Sequence, residues 1–379
     1  HNRYNRLFKE IRRKYKLINT DLKTTLLSVP FEDPPKIGFV SMKKIDLLIV
    51  EIETSSGLLG MGYLHPIMGG IMQTIEMCIH EMLKPLLIGK NAENIESLWK
   101  DMWKATFIHG RMGITVMGMS AIDIALWDLV GKYKKQPLWK LWGGSDNPLP
   151  VYGSGCYRGL GHDGMIEKAK RFVSEGYTAI KMQVAWGFTH DEDVTNVRDM
   201  REELGDNIKI MIDVNQGWTP EEAIKFGKAI DKYNIEFLEE PVIADDFEGY
   251  KKIANAINTP IATGENHFTH HDMKFFIENN IVSNLQPDLM RGGYTELKVI
   301  AEMANKKNIN IAPHLFMELN THLNASIPNA AWLEHMGWYN HLWENPIIPK
   351  NGNAQPSNIP GHGLKFKSEL FKEYPYKKI

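Results

Sequence analysis

The sequence predicts an α/β protein in which a parallel βα barrel follows a smaller α+β domain, and three observations carry that reading. Three apolar segments, IKIMIDVNQ, IEFLEEP and IATGENHF, each end in an acid: Asp213, Glu239 and Glu265, 26 residues apart in both steps. One strand, one helix and two short loops take about that many residues in a βα unit. Each acid is followed by a helix-start pattern, an N-cap residue with an acid three positions on. These are Thr219-Pro220-Glu221-Glu222, Asp245-Asp246-Phe247-Glu248 and Thr269-His270-His271-Asp272. Finally, eight strand candidates alternate with helical stretches after Pro148: LPVYGSG, YTAIKMQV, IKIMIDVN, IEFLEEP, IATGEN, IVSNLQPD, INIAPH and AAWLEHM. Eight is the number such a barrel needs.

A chain of 379 residues is long enough for two domains. Its formal net charge of −2 gives no reason to expect nucleic acid or an anionic membrane as partner, so a small-molecule role is favoured. Only Cys78 and Cys156 are present, without a CxxC pair, which fits a reducing cytoplasm and excludes a disulfide framework or a zinc site. No apolar run approaches the roughly 18 residues of a membrane span. Residues 1–17 form a basic extension, HNRYNRLFKEIRRKYKL, read as a solvated helix or an oligomer contact before a nucleic-acid arm. A homo-oligomer is expected.

From Thr20 the pattern is strand-like over Asp21–Val29, Lys44–Glu53 and Leu58–Leu64, the last two joined by a Thr54-Ser55-Ser56-Gly57 hairpin. Helical periodicity then runs from about Ile71 to Leu141, with Met112, Met117, Met119 and Trp127 read as core filling before a cofactor-pocket lining. Trp142 to Pro148 is a break, which divides an α+β domain, 18–145, from the barrel, 146–345. The Pro-, Asn- and Gly-rich tail, 346–379, is expected to return to the first domain. Gly153-Ser154-Gly155 is a poor dinucleotide turn, since the next glycine, Gly159, falls one position late for GxGxxG.

In parallel α/β architecture the strand ends converge on one face, so the three acids would share one small volume. Like charges resist being desolvated together, and a hard cation is the simple remedy. Oxygen ligands alone select Mg²⁺, Mn²⁺ or Ca²⁺ over Zn²⁺. The same face carries Asp288 in IVSNLQPD, His314 in INIAPH and Glu334 in AAWLEHM. Asp288 beside His314 can form a dyad in which the carboxylate fixes the imidazole tautomer and raises its basicity. Glu334 is open between acid catalyst, hydrogen-bond donor to substrate and solvated side chain. Lys181, ending YTAIK, supplies a positive charge that would help hold an anionic substrate.

With these residues in view, the chain resembles the enolase superfamily in its mandelate racemase-like branch. The resemblance rests on Leu238-Glu239-Glu240-Pro241, Gly264-Glu265-Asn266, Asp213-Val214-Asn215, Gln286-Pro287-Asp288, Arg291-Gly292-Gly293 and His314. It implies a modified TIM barrel, (β/α)7β, under an α+β capping domain. It also implies Mg²⁺ on Asp213, Glu239 and Glu265, and a His314–Asp288 dyad that removes a proton α to a carboxylate, the enediolate being stabilised by Mg²⁺. One position departs from the branch. Its second barrel strand normally ends Lys-x-Lys, the second Lys being a base on the opposite face from the His; here the triplet is Lys181-Met182-Gln183.

A glutamine cannot accept that proton, so two-base racemisation is disfavoured while dehydration is not. The expectation is an Mg²⁺-dependent acid-sugar dehydratase acting on an aldonate or aldarate and giving a 2-keto-3-deoxy acid. The alternatives are a racemase or epimerase, or a ligand-binding homologue without turnover. Gln183, Asn215, Tyr157 and Arg158 are the expected substrate contacts, and Tyr157 with Arg158 is also a possible substitute acid/base pair. Specificity is expected to come from the Phe31–Gly38 and His65–Gly70 loops.

Overall fold

The computed structural model describes residues 17–37 and 42–377. The basic extension up to Lys16 and the end of the Phe31–Gly38 loop fall outside the described residues.

The cap opens with an antiparallel sheet, β1 (Asn19–Pro30), β2 (Lys44–Thr54) and β3 (Leu59–Leu64), in the order β1-β2-β3. The β2–β3 turn closes with Gly57 N–H donating to Thr54 O, Gly57 taking the left-handed φ of +80°. The helical stretch is broken where the sequence read as continuous. It comprises Met72–Cys78, a π-turn at Ile79–Leu83, Lys84–Leu87, Ile95–Ala105, Ile114–Lys134 and Leu138–Leu141. The interruptions fall at left-handed Gly89, Gly110 and Gly113 and at Pro137, residues that hydrophobic periodicity does not register.

Helix Ile114–Lys134 is the hub of the cap. It passes so close to β3 that a Cβ on Gly60 or Gly62 would stand 2.2 Å from the carbonyl of Ala125 or Ala121. Its length and composition alone would suit a membrane span, yet most of it is buried, and Met117 and Met119 fill the core as read while Met112, just before it, is exposed. Two buried acids interrupt its apolar surface and tie it down. Asp128 accepts from Met61 N and His362 N and pairs with Lys132, and Asp123 accepts from Thr295 N on the barrel.

The barrel strands are β4 (Leu149–Cys156), β5 (Ala179–Gln183), β6 (Lys209–Asp213), β7 (Phe237–Glu239), β8 (Ile261–Thr263), β9 (Asn284–Leu285), β10 (Asn310–Ile311) and β11 (Leu333–His335). They run parallel in sequence order, β11 returning beside β4. The ring closes between β10 and β11 through Ile311 N to Asn329 O, 2.8 Å, and Ala331 N to Ile311 O, 2.9 Å. A helix follows each strand but the last, which gives (β/α)7β. Tyr152, Ala179, Met211, Phe237 and Ala262 fill the interior beneath the strand ends. Gly153-Ser154-Gly155 lies inside β4, so no dinucleotide turn forms there.

The helix starts follow the chemistry read from the sequence with two shifts. Thr219 and Glu222 form the reciprocal capping box. Asp246, not Asp245, caps the next helix by accepting from Gly249 N. At the third, Phe268 is the cap residue and its own N–H is held by Asp272, Thr269 lying already inside the helix. The C-terminal tail serves both domains. Its strand β12 (Asn353–Ala354) pairs with β4, while Phe366 and Leu370 join the cap core and Tyr376 N–H donates to Leu26 O. That core runs without a break into Leu289, Tyr294 and Phe316 of the barrel.

Candidate active site

Lateral pairing sets the site. Gln183, Asp213 and Glu239 are successive partners across β5, β6 and β7, so their side chains stand at one level. Glu265 does not share it, because the partner of Glu239 on β8 is Ala262, three residues earlier. Equal sequence spacing therefore overstated the equivalence. Glu265 reaches the site through Gly264, whose φ of +146° extends the chain beyond the strand. Asp288 and His314 pair laterally in the same parallel sense.

The backbone just past the strands is repeatedly left-handed: Ala185 and Trp186, Asn215 and Gln216, Glu240, and Leu315 and Phe316 all have φ between 41° and 64°. Such conformations cost energy in non-glycine residues and concentrate at functional sites. At Glu240 strand alternation turns the side chain away from that of Glu239: Glu239 meets Lys181, whereas Glu240, at φ of 41°, meets Asn266 and Gln216.

Above the strand ends lies a cavity of about 520 Å³, roofed from the cap by Ile37, Met42, Ile67 and Met68. Lys181, Gln183, Asp213, Asn215, Glu265 and His314 line its floor, and Tyr157 reaches its wall. Four expected residues do not line it, Asp288 among them, buried against His314. Glu239 is fully buried behind, its Oε2 2.8 Å from Lys181 Nζ. Glu334 is equally buried, with Oε1 2.8 Å from Lys181 Nζ and Oε2 accepting from Leu315 N, so it is no solvated side chain. Arg158 is turned into protein, donating to Val184 O, Ile37 O and Asn215 Oδ1 rather than to the cavity.

Charge explains these placements. Burial alone would depress the Lys181 pKa, but the Glu239 and Glu334 carboxylates outweigh it and hold the ammonium well above its usual range. Burial pushes the Glu334 carboxyl up, and Lys181 with His314 pulls it down to about 2. The carboxylate is thus held between the Lys181 ammonium and the Leu315 N–H. Burial raises Asp213 and Glu239, and the neighbouring acids raise Glu239 further. Burial raises the Tyr157 phenol above its usual range, and its oxygen accepts from Trp338 Nε1 at 3.0 Å.

The dyad is formed: His314 Nδ1 stands 2.7 Å from Asp288 Oδ2, whose Oδ1 accepts from Met290 N. Asp288 therefore orients Nδ1–H and leaves Nε2 facing Glu265, 3.4 Å from its Oε2. Burial would lower the His314 pKa, but the charges of Glu265 and Asp288 reverse that and raise it to about 10.

Asp213, Glu239 and Glu265 supply only oxygen, and Glu239 Oε1 is buried without a hydrogen-bond partner among the described residues. That donor set and that orphan oxygen suit a hard divalent cation. Among the described residues no three His, Cys, Asp or Glu side chains stand close enough to cage an ion, so the carboxylates would have to rotate toward one point.

Sequence reading assigned no role to several residues of this cavity. Glu240 accepts from Asn266 Nδ2 at 2.9 and 3.1 Å and from Gln216 Nε2 at 3.2 Å. Arg291 donates to Asn266 Oδ1 and lies 5.0 Å over the Phe268 ring, while Trp338 closes a wall. Glu240, Asn266 and Arg291 sit within the motifs quoted above, which were the only available signal for them.

Comparison with known proteins agrees with this architecture. Residues 20–143 match the family model for the mandelate racemase / muconate lactonizing enzyme N-terminal domain, and residues 164–370 that for the enolase C-terminal domain-like family. The chain is 35% identical over 326 residues to a 3,6-anhydro-alpha-L-galactonate cycloisomerase of Streptomyces coelicolor, covering 86% of this chain and 90% of that one. It is 32% identical to an arabinonate dehydratase of Saccharolobus solfataricus, covering 88% and 91%. Among solved structures, a racemase from Streptomyces coelicolor with bound magnesium superposes with a TM-score of 0.90 at 32% identity, covering 95% of this chain and 100% of that one. The chain belongs to the enolase superfamily, in its mandelate racemase / muconate lactonizing enzyme branch.

Proposed function

We propose that the protein is an Mg²⁺-dependent acid-sugar dehydratase that removes the proton α to a carboxylate of an aldonate or aldarate and expels the β-hydroxyl, giving a 2-keto-3-deoxy acid. The observation that carries this is the His314–Asp288 dyad, with Nε2 free of the dyad bond on the cavity floor beside Glu265. Asp213, Glu239 and Glu265 would hold the cation. When bound, the cation supplies positive charge that offsets the acids around His314 and acidifies the α-proton of a carboxylate.

His314 Nε2 takes the α-proton, while Asp288 keeps Nδ1 protonated and the ring oriented. The imidazole then holds a proton at Nε2 that it can return to the departing oxygen. Lys181 stays an ammonium between Glu239 and Glu334, and its charge steadies the substrate anion rather than accepting a proton. The hydrophobic roof excludes water from the developing charge.

A second reading has one observation in its favour, the cycloisomerase among the relatives. A 3,6-anhydro sugar acid carries its ring oxygen on C3, the carbon that loses hydroxide in dehydration. The same proton abstraction followed by expulsion of that ring oxygen is an isomerisation. Incubating the protein and Mg²⁺ in D₂O with a panel of aldonates, aldarates and anhydro acids separates the readings. A 2-keto acid lighter by one water is expected. A 2-keto isomer of unchanged mass selects the cycloisomerase, C2 exchange without a keto acid selects a racemase or epimerase, and no exchange with any acid ends the enzyme reading.

A further inference from the structure

Gln183 belongs to the cavity wall, yet it is less than one-tenth exposed, and its Oε1 is buried with no hydrogen-bond partner among the described residues. Such an orphan acceptor is costly, on the order of 1–3 kcal/mol, and calls for an explanation. The neighbouring groups fix which end of this amide is which.

Arg158 can only donate, and its Nη2 lies 2.7 Å from Asn215, so the Asn215 atom facing it must be Oδ1. The other end of Asn215, Nδ2, then meets the acceptor Asp213 Oδ2 at 2.8 Å, while Asp213 Oδ1 takes the Asn215 backbone N–H. Gln183 also faces Asn215 Oδ1, at 3.2 Å, so Gln183 must offer Nε2 there. A flipped Gln183 would set two acceptors against each other, and a flipped Asn215 would set two donors against each other. Asn215 takes φ of 47°, so its side chain is carried by a backbone turn that is itself unusual.

We infer that this arginine-to-amide chain makes Gln183 a fixed hydrogen-bond acceptor, and that Oε1 selects for a hydroxyl on the bound substrate. β5 lies three strands round the ring from β10, by way of β4 and β11, so this hydroxyl would be read across the cavity from the proton-abstracting His314. A ligand presenting a carboxylate or ring-ether oxygen there is rejected, because acceptor would meet acceptor. The ligand class rests on the acid-sugar reading; the polarity of the amide does not.

The two parts are tested separately. A neutron structure of the deuterium-exchanged protein is expected to show the Gln183 deuterons directed at Asn215, and an oxygen there instead overturns the inference. Calorimetry with Mg²⁺ then compares aldonates and aldarates with their monodeoxy analogues. For one hydroxyl, removal is expected to weaken binding about 10-fold in wild type and less than about two-fold in Gln183→Met. Equal losses in the two proteins, or no sensitive hydroxyl in any acid sugar that binds wild type, overturn it. If no acid sugar binds while the neutron map has the expected orientation, the substrate class falls and the fixed acceptor stands.

Discussion

On the β10 side of the cavity His314 leans on Asp288 and faces Glu265, whereas on the β5 side Gln183 leans on Asn215 and, through it, on Arg158. Both are polar side chains held in one orientation by a partner. The first chain ends in carboxylates and can gain or lose a proton; the second consists of neutral amides backed by a guanidinium and can only donate and accept hydrogen bonds. Similar geometry built from different functional groups thus gives one wall chemistry and the other recognition.

The largest effect is expected from removing what both walls share. Asp213→Asn or Glu239→Gln should abolish turnover and weaken Mg²⁺ binding without unfolding the barrel, since each removes a charged oxygen donor. Unchanged calorimetric Mg²⁺ affinity in both variants would sink the metal assignment. On the ionic wall alone, Asp288→Asn should leave His314 in place but spoil its tautomer, lowering kcat by about 10²–10⁴. A near-normal kcat would mean that another group takes the proton.

On the amide wall, wild type should exchange the C2 proton of one epimer only, because without a base on that side the other epimer has no acceptor within about 3 Å. Gln183→Lys should add slow exchange of the second epimer, read as deuterium at C2. Exchange of both epimers by wild type would erase the contrast between the walls.

The smallest effect concerns stability. Asp193 stands behind the amide wall, accepting from Ala185 N, and burial pushes its carboxyl up to about 7 despite the opposing charge of Arg158. A raised folded-state pKa means that the native protein binds more protons than the unfolded chain between about pH 4 and 7, so this group's contribution is full at low pH and is lost as pH rises. Asp193→Asn should therefore match wild type near pH 4.5 and exceed it by about 1–3 kcal/mol near pH 7.5. Parallel melting curves across that range would refute the assignment.

The strands, their order and most of the site were legible because the barrel repeats, and a repeat writes itself into spacing. Asp213 and Glu239 close β6 and β7 as read, whereas Asp288 and His314 each stand three residues past the end of β9 and β10. What spacing could not convey was register. Glu265 follows the 26-residue rhythm yet stands three positions beyond its lateral equivalent. Glu240 was illegible for another reason: it turns away from Glu239, and its partners Asn266 and Gln216 lie elsewhere in the chain. Nor could the sequence tell that Glu334 and Arg158 face protein rather than ligand, since that is settled by partners distant in the chain, Lys181 for the one and Asn215 for the other. The cap helices were misjoined because apolar periodicity persists across glycines that end helices.

The apolar core that passes unbroken from the cap sheet into Leu289, Tyr294 and Phe316 has a consequence for how molecules come and go. A lid that swings as a rigid body needs a seam that can part, and here the seam is packed core, crossed by Asp123 bonding to Thr295 and by a tail stitched to both β1 and β4. Opening it would cost much of the fold. Among the described residues, the cavity's border on the cap side includes the half-buried Ile37 and Ile67 and the exposed Met68, side chains whose rotamers can change in nanoseconds without parting that seam.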